Sequence, residues 1–495
     1  MSDLKFRTPY GKNTGYQPDA PSTGDDHFDD DTHHWFQSSS QTPACVLEVG
    51  SDDDTAIAIK VIAASQTPFA VQSGGHVSNP GFSSTTGVHI SLRKMQQVKL
   101  STDKTTVELG MGLTWADVYE ELEDTGVNVV GGRVPGPGLG GVTLGGGFSC
   151  FNLVLPNGTV TTVDTSQPDL FFALKGGLSR FGIVTAAVYR THRQSDQIFG
   201  GFNIYTQDKT EAIIAATLSF YEDNTDPKAQ IITTTVGSPL GTSTLVLFFY
   251  DGPTTPPSFE QFEKILPLTL LPNVRTQSFS SFVNGIPDQL VFNARGTFDT
   301  LSTTSLTAGF LRAVKQETDR MGAAMLLHSG TTVNYDIEPF LPSYGNKSTD
   351  SAYLHTGSPL PLNIYVAWLL EEEDQFWYSA IRSSIRRLKN VAAEEGILYK
   401  VAAKYPNYAI GSTSATALYG TVNAKRLARI RDEVDPDGVM RLLVLKCTSA
   451  RYDVSNPVLA RQSGAAVRRA YVYRVSGKRS DNTATATRFA SKQKI

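Results

Sequence analysis

Residues 131–147 read GGRVPGPGLGGVTLGGG, and nine of these seventeen positions are glycine. Glycine has no Cβ, so a backbone built from it can approach a ligand closely and reach positive φ, at an entropic cost. Successive free N–H groups in such a loop form concave nests for anions such as a pyrophosphate. The lesser reading of the stretch alone is a chain of tight turns. Within it Gly136, Gly138 and Gly141 spell G-x-G-x-x-G, the pattern of nicotinamide-dinucleotide folds. The context argues against that fold. Pro135 and Pro137 interrupt the approach, and the following VTLGGGFS reads as loop rather than as a helix whose N-terminus could take a pyrophosphate.

Two more constellations flank this one. Residues 68–72 (PFAVQ) read as a strand that runs straight into Ser73-Gly74-Gly75-His76-Val77. A lone histidine is more often a hydrogen-bonded structural residue, but here two glycines would let a ligand reach the backbone beside it. Residues 175–185 (KGGLSRFGIVT) form a turn feeding an apolar strand. The backbone at Gly182, Ile183 and Val184 could pair with a flat heterocycle.

Around these motifs short strands alternate with helices. Strands are expected at 44–50, 68–72, 88–92, 98–100 and 106–109, and helices at 52–65, with acidic residues in its first turn, and at 114–124. After Arg193 the texture changes. Amphipathic helices at 209–222, 306–321 and 375–395 sit among alternating strands at 231–236, 244–250, 331–337 and 362–369, which predicts a sheet with one helix-covered face. The fold class is α+β, with a first domain over 35–195 and a second over 196–400.

A chain of 495 residues is too long for one ordinary core. With 40% hydrophobic and 19% charged residues it has the composition of a globular enzyme. No apolar run approaches the ~20 residues of a membrane-spanning helix. Residues 1–34 read as a disordered, solvated tail without the apolar core of a signal peptide, which predicts a cytoplasmic protein. The sequons at Asn157 and Asn346 would matter only in a secreted form. Cys45, Cys150 and Cys447 are too scattered for a disulfide framework or a zinc pattern. His33 and His34 lie in an acidic stretch that suggests no metal site. From Arg451 onward ten Lys/Arg face two Asp, so the net −4 hides a basic tail over 446–495. That tail has neither a recognition-helix pattern nor interleaved aromatics, so no nucleic-acid partner is expected.

In order and spacing, these pieces resemble the FAD-linked oxidases of the vanillyl-alcohol-oxidase and p-cresol-methylhydroxylase superfamily. The branch is the one similar to berberine bridge enzyme, in the style of fungal secondary-metabolite oxidases. PFAVQSGGH at 68–76, TWADVYEEL with the glycine stretch, PDLFFALKGGLSRFGIVT at 168–185, Tyr405-Pro406-Asn407-Tyr408, LYG at 418–420 and DPDGVM at 435–440 carry the resemblance, which covers roughly 34–445. It implies a two-part FAD-binding domain and a substrate domain with an antiparallel sheet. A segment over 401–445 would return to the flavin.

The resemblance also implies roles. His76 would be bonded covalently to FAD. Ser73, Gly74, Gly75 and Val77 would lie around it, and Gly138, Gly141, Thr143, Leu144, Gly145, Gly146 and Gly147 would cradle the phosphates. Gly182, Ile183 and Val184 would edge the ring, Tyr405 and Asn407 would touch it, and Tyr408 would be the catalytic base, or else pack against the flavin. A free phenol titrates near ~10, so a tyrosinate base would need a cationic or hydrogen-bonding neighbour. Hydride would pass from a small organic substrate to flavin N5, and oxygen would reoxidise the flavin. The apolar strand at 362–369 favours a hydrophobic substrate.

Two departures stand out. The family's segment after the triple glycine is largely absent, because Gly147 runs into FSCFNLVLPNG, and the C-terminus ends in the basic tail. Both read as gene-model errors. If they are real, the alternative is a flavin-binding protein with impaired catalysis. A nucleophilic triad is a poor rival, since the chain has no G-x-S-x-G elbow and Cys150 has no recognisable histidine partner.

Overall fold

The computed structural model describes residues 5–7, 28–146, 150–268, 273–287, 293–347, 349–357, 359–401 and 404–443. The chain opens with β1 (Lys5–Arg7) and a short helix, α1 (Phe28–Thr32), followed by β2 (Cys45–Glu48), α2 (Asp52–Ser65), β3 (Phe69–Gln72) and β4 (Val88–Ser91). Among the described residues these strands form a sheet in the order β1-β2-β4-β3, with β2 and β3 parallel to β4. Helix α2 forms because Ser51 accepts from the Asp54 N–H and three aspartates sit at the positive end of the helix dipole.

Next come β5 (Val98–Leu100), β6 (Thr106–Gly110), α3 (Trp115–Leu122), β7 (Val127–Asn128), α4 (Leu139–Leu144), β8 (Cys150–Val154), β9 (Val160–Val163), α5 (Pro168–Leu174), β10 (Ile183–Arg190) and β11 (His192–Arg193). A capping box between Thr114 and Asp117 starts α3. The second sheet runs β5-β6-β10-β8-β9 and is antiparallel. Leu47, Ile59, Phe69 and Ile90 from the first sheet and its helix share one core with Val107, Leu109, Phe151 and Ile183 from the second.

The rest of the chain builds β12 (Ile198–Tyr205), α6 (Thr210–Asp223), β13 (Ala229–Ser238), β14 (Gly241–Tyr250), α7 (Glu260–Glu263), β15 (Arg275–Gln277), α8 (Phe279–Asn284), β16 (Arg295–Thr303), α9 (Ala308–Ala324), β17 (Gly330–Ile337), β18 (Leu360–Trp368), α10 (Asp374–Glu394) and α11 (Ala415–Val434). Its sheet is antiparallel, in the order β15-β12-β14-β13-β17-β18-β16. Side chains alternate across it with period two. Tyr335, Ile337, Leu362, Ile364 and Val366 share a core with Val314 of α9 and with Trp377 and Leu388 of α10, while the positions between them face the other way. Helix α11 kinks at Gly420, within the LYG motif.

Three expectations need correction. Ordered structure begins before Trp35. β1 pairs with β2, and α1 buries Asp31 and Thr32, so residues 1–34 are not wholly a loose tail. The acidic composition hid this, because Asp31 takes the Ser91 hydroxyl as a partner that lies far away in sequence. The stretch after Gly138 is helical over Leu139–Leu144, with Gly138 as its N-cap. Gly140 packs against Ser73 while Gly141 has open space, so the helix forms despite the poor helix propensity of glycine. The apolar character of 362–369 comes mainly from the helix-facing Leu362, Ile364, Val366 and Trp368, whereas Tyr365 and Ala367 face the other way, against Phe36 and Phe298. Residues 1–4, 8–27, Gly147 and the basic tail lie outside the described residues.

Candidate active site

Two glycine loops lie back to back. A Cβ on Gly74 would stand 2.4 Å from the Gly138 backbone, and one on Gly138 would stand 2.2 Å from the Gly74 nitrogen, so both positions exclude a side chain. Ser73 joins the loops: its hydroxyl donates to the Met111 carbonyl at 2.6 Å and accepts from the Gly140 N–H at 3.1 Å. Gly75 turns the chain at φ +66, a conformation that favours glycine, and this aims the next residue.

That residue is His76, with Val77 half-buried beside it. The imidazole lies 4.2 Å from the Trp35 ring and 15° from parallel to it, and Phe298 of β16 stands 6.4 Å away. Its Nε2 is closed to solvent and has no hydrogen-bond partner among the described residues. Burial pulls its pKa down to about 4, so the ring is neutral at physiological pH and keeps a lone pair.

On the other side of the cleft the third sheet presents a polar row. Register places Thr234, Asp336, Asn363 and Thr300 side by side on β13, β17, β18 and β16. Thr234 donates to Asp336 Oδ1 at 2.7 Å and Asn363 to Oδ2 at 2.9 Å. Burial pushes the Asp336 carboxyl up to about 6 against the pull of these donors. Two residues on is Glu338, only 3% exposed and paired with Arg133 at 2.7 Å. A carboxylate that deep needs such a counter-ion. The same guanidinium donates to the Tyr408 oxygen at 2.5 Å, and the Tyr408 hydroxyl donates to Glu338 Oε1 at 3.2 Å. Burial pushes the Tyr408 phenol well above its ordinary range, and Arg133 offsets only part of that.

An aromatic wall continues from Tyr408. Tyr405 stands edge-on to it at 4.9 Å, Tyr353 stands 5.3 Å from Tyr405, and His355 stands 4.7 Å from Tyr353. Asn407 donates to the Tyr405 hydroxyl at 3.0 Å, and a Cβ on Gly145 would lie 2.0 Å from its amide oxygen. Gly146 lies against Tyr405 in the same way. The Tyr-Pro-Asn-Tyr motif therefore covers the end of the glycine stretch.

Direct contacts thus join Ser73 and Gly74, next to Gly75 and His76, with Gly138, and separately join Gly145 and Gly146 with Tyr405, Asn407 and Tyr408. The other expected residues lie outside these two groups. The Thr143 hydroxyl donates to the Leu139 carbonyl at 2.6 Å and meets the Tyr189 hydroxyl in the core, where Leu144 also packs. Ile183 and Val184 are buried and pair with Val154 and Leu153, and a Cβ on Gly182 would strike the Val154 carbonyl. Gly141 has open space around it. Sequence reasoning missed Arg133, Asp336 and Glu338. Arg133 was signalled as the one charged residue in 131–147, and Asp336 and Glu338 as acidic residues on alternate positions around apolar Ile337.

These features fit the FAD that the motifs imply. The glycine contacts leave backbone bare of side chains, and His76 offers a neutral, unpartnered nitrogen. The comparisons with known proteins agree. The FAD binding domain family matches residues 43–163. An uncharacterized FAD-linked oxidoreductase of Arthroderma benhamiae is 36% identical over 291 residues, which span 54% of this chain and 57% of that protein. An FAD-dependent monooxygenase of Cochliobolus heterostrophus is 28% identical over 445 residues, 82% of this chain and 85% of that protein. The crystal structure of 6-hydroxy-D-nicotine oxidase from Arthrobacter nicotinovorans superposes with a TM-score of 0.72 at 18% identity, covering 89% of this chain and 97% of its own. BBE-like 1 of Physcomitrella patens gives 0.71 at 16% identity, covering 91% and 98%. Motifs, site and comparisons together make this chain an FAD-linked oxidoreductase, with a flavin domain of the p-cresol-methylhydroxylase type and the fold of the berberine-bridge-enzyme-like proteins.

Proposed function

We propose that this chain is an oxidase of a small organic metabolite, with FAD attached through His76 and with Tyr408 and Glu338 handling the substrate's proton. The observation that carries the reading is the contact of Arg133, Glu338 and Tyr408 beside the glycine-lined cleft. Bound FAD would supply the hydride acceptor, N5, and a route for the electron pair to oxygen. The chain's own part is position and proton transfer. At neutral pH burial keeps Tyr408 a phenol, so it is not a stored tyrosinate. It takes the substrate's proton as it hands its own to Glu338, to which its hydroxyl already donates. Arg133 steadies the charge on the phenol oxygen during that exchange.

Tyr353 and Tyr405 continue the aromatic wall from Tyr408, and the buried Tyr353 hydroxyl lacks a partner among the described residues. A hydrophobic secondary metabolite with a polar edge suits that wall. The test is anaerobic mixing of purified holoprotein with a panel of phenols, alcohols and sugars, followed by isotopically labelled oxygen. Bleaching of the flavin, then peroxide with unlabelled product, is the expected result. Labelled product would replace this reading with the monooxygenase activity for which the Cochliobolus relative is named. Binding of flavin with no bleaching by any candidate would favour an impaired protein.

A further inference from the structure

Residues 28–40 lie over the loop that carries His76. The Trp35 N–H donates to the Gly75 carbonyl at 3.0 Å, and the Gln72 side chain donates to the His33 carbonyl at 2.9 Å. Beyond Trp35 the segment is held to the third sheet's end, where the Gln37 N–H donates to the Ala294 carbonyl at 2.8 Å and the Ser38 hydroxyl to the Gly296 carbonyl at 3.1 Å. Trp35 is thereby fixed between two structures, with His76 as neighbour in one and Phe298 and Tyr365 in the other. His76 stacks against it at 4.2 Å, and Phe298 lies nearly parallel to it at 5.8 Å.

An imidazole's outer torsion is broad and close to two-fold, so an unsupported ring samples many orientations. Bond formation needs one orientation, and displacement by about 1 Å can cost ~10²-fold in rate. We propose that Trp35 is a positioning residue for flavin attachment: its indole, stacked on the His76 imidazole with Phe298 beside both rings, holds the imidazole so that the unpartnered Nε2 is the nitrogen presented to the flavin's methyl carbon. This rests on the reading that His76 carries the flavin. The attachment exchanges one C–H of the flavin methyl and the imidazole N–H for a C–N bond. The two electrons and two protons released end on oxygen as hydrogen peroxide.

The test compares wild type, Trp35→Phe, Trp35→Leu and His76→Ala, each made as apoprotein and incubated aerobically with FAD. Total flavin is read by absorbance after desalting, and bonded flavin by fluorescence in a denaturing gel. The expected result is full flavin binding in Trp35→Leu with attachment slowed on the order of tenfold or more. Trp35→Phe, which keeps a stacking face, should attach within about threefold of the wild-type rate. Attachment at the wild-type rate in Trp35→Leu overturns the role of Trp35 and leaves His76 untouched. Equal slowing in Trp35→Phe also overturns it, because stacking would not be what matters. Wild type with no bonded flavin, or bonded flavin in His76→Ala, overturns the attachment reading and this proposal with it. Should Trp35→Leu not fold, Trp35→Met, which is flexible and has no flat face, decides by the same comparison.

Discussion

In the proposed mechanism Tyr408 and Glu338 would share the substrate's proton, and Tyr408→Phe tests the tyrosine's part. Tyr408→Phe removes the hydroxyl between Arg133 and Glu338 and keeps the ring against Tyr405. Anaerobic flavin reduction should fall by about 10²–10⁴-fold with flavin content unchanged. A fall below about threefold would mean the ring serves packing alone. Cys150→Ser should leave the flavin spectrum as it is. Burial raises the Cys150 thiol, the opposite of what an attacking thiolate needs, so a second link to flavin at that cysteine is not expected. Asp336→Asn has a stability signature. A carboxyl raised to about 6 makes the folded state bind protons that the unfolded state has shed, so stability drains away as pH climbs from about 4 to about 6. Asparagine should recover at most about 3 kcal/mol at pH 7, less where the cleft admits water, and thermal melts at pH 4.5 and 7 would read the difference. The residues legible in advance were those whose motif carries its own backbone geometry, such as His76 after two glycines. Arg133 and Glu338 were not, because their meaning lies in a pairing across 205 positions of chain.

At the scale of elements, Asn79 ties two loops that the sequence holds far apart. Its amide donates to the Ala409 carbonyl at 3.1 Å and accepts from the Gly411 N–H at 2.7 Å, which fastens the end of the Tyr-Pro-Asn-Tyr turn three residues beyond His76. Asn79→Ala strands two part-buried backbone groups. It should cost about 1–3 kcal/mol, seen as a lower urea midpoint with an unchanged slope. A midpoint equal to wild type would show that water replaces the amide. The strands and helices themselves were largely readable, since alternation and caps are local signals. Helix 52–65 begins at its serine cap, and 98–100 is a strand as expected. Helix α4 was not readable, because glycine counts against helix. The two faces of β18 were not readable either, because an apolar strand has two sides, and only its neighbours say which of them meets a helix.

For the whole molecule, pH acts mainly through buried histidines. Burial brings His34 and His76 to about 4 and His89 to about 3. Each folded value lies below the ordinary ~6.5, so the unfolded chain binds more protons, and stability present above that pH is lost as pH falls toward 4. The apoprotein should be less stable at pH 5 than at pH 7.5 by on the order of 3–6 kcal/mol in urea melts, after the smaller opposing share of Asp336. A flat profile would show that these rings are hydrated in solution. The α+β class, with a large antiparallel sheet after Arg193, was legible from the change of texture there. That a segment over 401–445 returns was implied by the resemblance alone, and the strand it meets was not legible, since nothing local records it. Phe69, beside the His76 loop, makes a parallel bridge with Leu443. A ribosome therefore finishes nearly the whole polypeptide before the first sheet gains that neighbour. Until then the early strands wait with an open flank, in the high-contact-order regime where folding is slow and aggregation competes. Cofactor loading should accordingly be a late event in biosynthesis. Yield in a heterologous host should respond more to slower synthesis and lower temperature than to added flavin.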